Sequence, residues 1–130
     1  MARVLVDTSV WIEFFRNHEP YHGAVVALLD TDNVCCIGLI LGELIQGAKS
    51  EQELSVIRDF LHVFQFLPDS PNLWEQAGRL AYNLRRCGTT VGLADCFIAV
   101  SAIEAGAQLF SLDSHFETIC GKSNLSLFRI

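Results

Sequence analysis

The chain has 130 residues, 51% of them apolar and 18% charged, and 15 acids against 9 Lys and Arg give a net charge of −6. That length and apolar content fit one domain over residues 1–130 and exclude a disordered chain. The acidity excludes an electropositive sheath for duplex DNA, while leaving room for a nucleic-acid partner held by a few local cations.

Arg3 to Val6 is a short valine-rich run, read as a buried strand. Thr8 and Ser9 cap a helix over 10–17. A second helix covers 22–29, and 33–37 is a strand. Residues 38–46 form a helix that Gly47 ends. Leu54, Ile57, Leu61 and Phe64 recur at helical spacing, the stripe of an amphipathic helix. A short strand over 64–67 stops at Pro68. Leu73, Ala77, Leu80 and Leu84 give the next helix the same stripe, and it ends near Cys87 and Gly88. Residues 93–104 are apolar nearly all round, which predicts a buried helix. Residues 108–112 read as a strand, 114–120 as a helix and 125–128 as a last strand. Strands alternating with helices predict an α/β domain around a parallel sheet.

The N-terminal apolar run is broken at Asp7 and is too short for a signal peptide. The longest apolar stretch, Val34 to Gly42, falls short of the roughly 20 residues a membrane span needs, so no membrane partner is expected. Five cysteines (Cys35, Cys36, Cys87, Cys96 and Cys120) are odd in number, form no C-x-x-C, and mostly have apolar neighbours. They read as reduced core thiols, which places the protein in the cytoplasm.

Four acids stand in apolar surroundings: Asp7, Glu43, Asp95 and Asp113. Asp7 and Asp113 end strands, Glu43 lies in the helix after the second strand, and Asp95 opens the buried helix. In a parallel α/β sheet the strand C-termini share one edge, and ligands bind there. Each acid also has an ordinary structural use: Asp7 as a helix cap, Glu43 on a solvent-facing turn, Asp95 as a first-turn acid, Asp113 as a turn former. Their joint placement is what points to chemistry. Two unit charges about 4 Å apart repel by about 4 kcal/mol at an effective dielectric of 20, so protons or cations must compensate. Hard oxygen donors without a Cys or His set indicate Mg²⁺ or Mn²⁺ rather than zinc. Such an ion activates water and neutralises charge on a phosphate under in-line attack, which suggests phosphodiester hydrolysis.

These residues resemble the PIN-domain ribonucleases, specifically the toxin half of VapBC-type toxin–antitoxin pairs. The resemblance covers nearly the whole chain. Val4-Leu5-Val6-Asp7-Thr8-Ser9-Val10-Trp11-Ile12 is similar to the family's first motif, and Gly42-Glu43-Leu44 with Gly47 to the second. Gly92-Leu93-Ala94-Asp95-Cys96-Phe97-Ile98-Ala99 is similar to the third and is the most specific. Ser111-Leu112-Asp113-Ser114-His115-Phe116 is similar to the last. The resemblance implies a three-layer α/β/α fold with a central parallel sheet. It implies that Asp7, Glu43, Asp95 and Asp113 are both the catalytic acids and the Mg²⁺ or Mn²⁺ ligands. Asp7 and Asp95 map to the principal ligands, and Asp113 is the least secure. Ser9 and Ser111 would orient carboxylates or water. It further implies an endoribonuclease acting on RNA such as tRNA or rRNA, a cognate antitoxin, and a homodimer.

Arg85 and Arg86, upstream of the third motif, are candidates to hold an RNA phosphate, with a solvated helix end as the plainer alternative. Arg16 and Lys49 are weaker candidates. Trp11, Phe14 and Phe15 form an aromatic group read as core, with Trp11 or Phe15 able to face a partner helix. Pro20 between His18 and His22 spoils a shared helical face, which argues against zinc. His115 is expected on the surface, with a general-acid role as the alternative. Two rival functions share the acid pattern: a Mg²⁺-binding receiver-type signalling domain, and a non-catalytic RNA-binding or scaffolding domain of the same fold.

Overall fold

A computed structural model describes residues 3–130; Met1 and Ala2, the start of the N-terminal run, lie outside the described residues. The chain alternates strand and helix: β1 (Val4–Val6), α1 (Thr8–Phe15), α2 (Tyr21–Asp30), β2 (Val34–Cys36), α3 (Gly38–Gln46), α4 (Glu51–Leu61), β3 (Gln65–Phe66), α5 (Pro71–Arg86), α6 (Leu93–Glu104), β4 (Gln108–Phe110) and α7 (His115–Cys120). The four strands form one parallel sheet in the order β3-β2-β1-β4. Helices cover both faces, giving the expected three-layer α/β/α arrangement. No described helix is long and apolar enough to cross a membrane.

Strand β1 lies at the centre, with Val4 opposite Val34 on one side and Gln108 on the other. All three of its residues are buried, because helices on both faces leave neither side to water. The core continues through Ile40, Leu61, Phe97, Ile98, Leu109 and Phe116. Helix α6 is buried from Cys96 to Ala102, as its apolar circumference requires. Trp74 of α5 stacks on Phe97 at 3.8 Å between ring centroids, locking α5 to α6. Burial pushes the Cys35 and Cys36 thiols up to about 11 and about 12, so both stay protonated core groups.

Several boundaries differ from the sequence reading. Helix α1 begins at Thr8, and its cap is Asp7 rather than Thr8 or Ser9. Helix α4 ends at Leu61, so Phe64 lies beyond it, and β3 is only Gln65–Phe66. Strand β4 stops at Phe110 because the Ser111 hydroxyl accepts the Asp113 N–H and turns the chain. The strand expected over 125–128 reduces to one bridge, Leu127 beside Leu109. That stretch satisfies both backbone groups of Leu109, through Ser126 and Phe128, and pairs no further. Cys87 is exposed and Cys120 only half-buried, so neither is a core thiol.

The sheet order also removes the receiver-type alternative. That fold places its first strand between the second and third, whereas here β1 lies between β2 and β4. In the observed order the connections reverse direction between β1 and β4, and that crevice is where such sheets bind ligands.

Candidate functional site

The first candidate acid sits at this crevice. Asp7 follows β1 directly, its N–H donating to the Phe110 carbonyl of β4 at 2.9 Å. It is 6% exposed, one of two buried polar residues among those described. Its Oδ2 receives the Ser9 hydroxyl at 2.8 Å and the Ser111 hydroxyl at 2.7 Å. Each serine is itself aimed by a backbone donor: Leu112 N–H donates to Ser9 Oγ and Asp113 N–H to Ser111 Oγ, both at 3.0 Å. Two loops from opposite ends of the chain are thus tied together through one carboxylate oxygen. Asp7 also caps α1 by accepting the Ser9 N–H, so the structural and chemical uses coincide.

The other acids come from three different elements. Glu43 lies in the second turn of α3, where Thr8 Oγ1 donates to its Oε1 at 2.6 Å. Burial holds the Glu43 carboxyl above its ordinary range; the Thr8 hydrogen bond pulls it down, and the negative charges of Asp7 and Asp95 push it further up. Glu43 therefore feels both of those acids. Asp95 stands in the first turn of α6, at the positive end of that helix's dipole. Asp113 follows β4 and accepts the His115 N–H at 2.9 Å, forming the turn that starts α7.

His115 joins the last two. Its Nδ1 lies 3.0 Å from Asp95 Oδ2 and 3.4 Å from Asp113 Oδ1. One donor atom from each of Asp95, Asp113 and His115 can be chosen so that all lie within 4.8 Å of one another. The hydrogen bond to Asp95 raises the affinity of His115 for a proton, and the Asp113 charge adds to it. The ring is exposed, as expected, but faces the acids.

All four candidate acids are thus tied to one edge of the sheet. Among the described residues each lends one oxygen to a protein donor and keeps the other. No hydrogen bond from the protein reaches Asp7 Oδ1, Glu43 Oε2, Asp95 Oδ1 or Asp113 Oδ2. No Lys or Arg among the described residues forms an ion pair with any of the four; His115, beside Asp95 and Asp113, is the one basic side chain that pairs with them. Such a donor set, rich in hard oxygens and poor in compensating charge, fits a divalent cation.

The candidate cations fall differently. Arg85 and Arg86 end α5, joined by the short loop 87–92 to the turn of α6 that carries Asp95. Arg86 donates to Tyr82 Oη and lies over its ring, and neither arginine touches an acid of the site. Arg16 and Lys49 instead line a cavity of about 350 Å³ that reaches Glu43, with Ile12, Phe15 and Val56 on its apolar walls. Trp11 is wholly buried and turned away from any partner. His18 and His22 pair with Glu13 and Glu19 separately and share no site. Sequence reasoning missed the part played by Thr8, which reads as a cap but holds Glu43. It also missed that His115 spans to Asp95; the residues are 20 apart and only folding brings them together.

Nearly the whole chain is similar to known proteins. The PIN domain family pattern matches residues 4–122. Ribonuclease VapC32 of Mycobacterium tuberculosis is 32% identical over 126 residues, covering 95% of each chain. The tRNA(fMet)-specific endonuclease VapC of Salmonella typhimurium is 29% identical over 126 residues, covering 93% of this chain and 95% of its own. A DNA-bound VapBC complex from Salmonella typhimurium superposes with a TM-score of 0.80 at 29% identity, over 98% of both chains.

Proposed function

The chain belongs to the PIN-domain family, among the VapC ribonucleases, and on that premise we propose that it is a metal-dependent endoribonuclease, the toxin of a toxin–antitoxin pair. Asp7, Glu43, Asp95 and Asp113 would hold Mg²⁺ or Mn²⁺ through their carboxylates, each of which keeps at least one oxygen free of protein donors. A divalent cation there would acidify a bound water and neutralise charge on the scissile phosphate. The observation that carries this reading is the half-occupied state of four carboxylates at the β1/β4 crevice.

The chain's own groups have distinct parts in it. Ser9 and Ser111 hold Asp7 in one orientation, so its other oxygen is presented without rotamer freedom. Thr8 does the same for Glu43. Burial holds the Glu43 carboxyl above its ordinary range, with the charges of Asp7 and Asp95 adding to it, which suits it to take a proton from the attacking water. Arg85 and Arg86, close in sequence to the third motif, are the candidates to hold the RNA backbone.

A partner is part of the proposal. The cavity beside Glu43 offers apolar walls and charges of both signs, Arg16 and Lys49 with Glu43 and Glu53, which suits an antitoxin segment that is apolar with charged residues of its own. The protein would act as a homodimer in the cytoplasm, on tRNA or rRNA. The reading is tested by incubating the purified chain with tRNA and rRNA in Mg²⁺, with and without a chelator. Cleavage that needs the metal and is absent in Asp7→Asn supports it. Cleavage equal in Asp7→Asn and the parent refutes it.

A further inference from the structure

We propose that His115 is a ligand of the ion held at the sheet edge, and that its nitrogen makes the site select Mn²⁺ over Mg²⁺. This rests on the metal-dependent reading above and adds a residue to it. His115 Nδ1 is 3.0 Å from Asp95 Oδ2 and 3.4 Å from Asp113 Oδ1. An octahedral ion with arms of about 2.1 Å sets neighbouring ligands about 3.0 Å apart. His115 Nδ1 therefore stands near the spacing of adjacent ligands from an oxygen of each carboxylate, and one donor atom from each of the three residues can be chosen within 4.8 Å of the others.

The placement is built rather than incidental. The His115 N–H is fixed by Asp113 Oδ1 at 2.9 Å, and the next residue, Phe116, is 1% exposed and anchors α7 in the core. The backbone beneath the imidazole is thus held by the same carboxylate the ring faces. The ring is the single charged or chargeable nitrogen group that pairs with these acids among the described residues. Carboxylate and water suit Mg²⁺ and Mn²⁺ alike, but Mg²⁺ is a hard ion that takes oxygen ligands, whereas Mn²⁺, as a transition ion, accepts an imidazole nitrogen more readily. One nitrogen among four carboxylates shifts the preference toward Mn²⁺ without excluding Mg²⁺.

The competing role is that of a counter-cation: a protonated His115 would balance Asp95 and Asp113 and be pushed aside by the ion. The two roles predict opposite effects of removing the ring. Its side chain is 54% exposed, so His115→Gln should fold. The experiment uses the full chain loaded with Mn²⁺ and read by pulsed electron paramagnetic resonance, with Mn²⁺ and Mg²⁺ affinities from titration and competition. His18→Gln serves as control, since the chain has four histidines. The expected result is a nitrogen coupling to Mn²⁺ in the wild type and in His18→Gln that disappears in His115→Gln. Mn²⁺ affinity should fall about 10- to 100-fold in His115→Gln and Mg²⁺ affinity less than about threefold. Mn²⁺ bound by the wild type without nitrogen coupling would overturn the inference alone. So would an equal loss of both metals, or tighter binding of both, in His115→Gln. No Mn²⁺ binding by the wild type would instead overturn the metal-dependent reading and this inference with it.

Discussion

The two ends of α1 are built for different purposes. Its first residues, with Asp7 before it, serve carboxylates: Asp7 collects two serine hydroxyls, and Thr8 reaches across to Glu43. One turn later Trp11 is completely buried, with the rings of Phe14, Phe15, Phe60 and Phe64 5.5–5.9 Å away. The aromatic end gathers rings that attract one another, with only the buried Trp11 Nε1 left without a hydrogen-bond partner among the described residues. The acidic end gathers groups that repel, and its residues are there at a cost to the fold. Stability and activity should therefore respond oppositely to changes at the two ends.

The sharpest contrast is between Asp7→Asn and Trp11→Ala. On the proposed function, Asp7→Asn should lower RNA cleavage at least about 100- to 1,000-fold, because it would remove a charged ligand from the site. Its metal-free melting temperature should hold or rise, since Asn caps a helix as well as Asp and one source of repulsion is gone. Calorimetry and a cleavage assay on the same preparation check both halves; a large fall in melting temperature would break the comparison. Trp11→Ala should cost about 3–5 kcal/mol by denaturant unfolding. Whatever fraction stays folded should retain its metal affinity.

A smaller effect is expected at the serines. Ser111→Ala removes one donor to Asp7 and the acceptor of the Asp113 N–H. Metal affinity or activity should drop about 10- to 100-fold, as is typical when a group that orients a ligand is lost. Chemical denaturation should show a change of only about 1 kcal/mol. If Ser111→Ala proves silent in activity, the serine relay is packing alone.

The smallest effect is a pH dependence of the metal-free protein. His115 binds its proton more tightly in the fold than in the unfolded chain. Its contribution is fully present below its unfolded value of about 6.5 and is lost as pH rises through the higher folded value. Glu43 has the same sign, since its raised carboxyl favours the protonated, low-pH form. The melting temperature in chelator should thus fall modestly between pH 6 and pH 8. His115→Gln should flatten the slope, and saturating Mg²⁺ or Mn²⁺ should reverse it. A slope that rises with pH in chelator would contradict the assignment.

How much of this is legible in the sequence follows from what each feature depends on. Asp7 and Asp113 end valine- or leucine-containing strands, so local pattern alone sends both to the C-terminal edge of a parallel sheet. Asp95 is visible because it interrupts an otherwise apolar helix. Glu43 is visible for the same reason in α3. The contacts that orient these acids are not legible, because they join distant segments: Ser111 to Asp7 over 104 residues, Thr8 to Glu43 over 35. The strand expected at 125–128 fails for a related reason. Its apolar residues are core-facing, but pairing is limited by what β4 offers, and β4 ends where Ser111 turns the chain. Cys87 is exposed because it follows Arg85 and Arg86 at the end of α5, a polar setting that the reading of the cysteines as a group passed over.

The central claim is that Asp7, Glu43, Asp95 and Asp113 jointly hold one or more divalent ions at the β1/β4 crevice. Crystals of the chain soaked in Mn²⁺ test it most directly. The account predicts an anomalous difference peak enclosed by those four carboxylates, and its loss in Asp7→Asn. A Mn²⁺-saturated crystal with no peak beside Asp7 or Asp95 would contradict it.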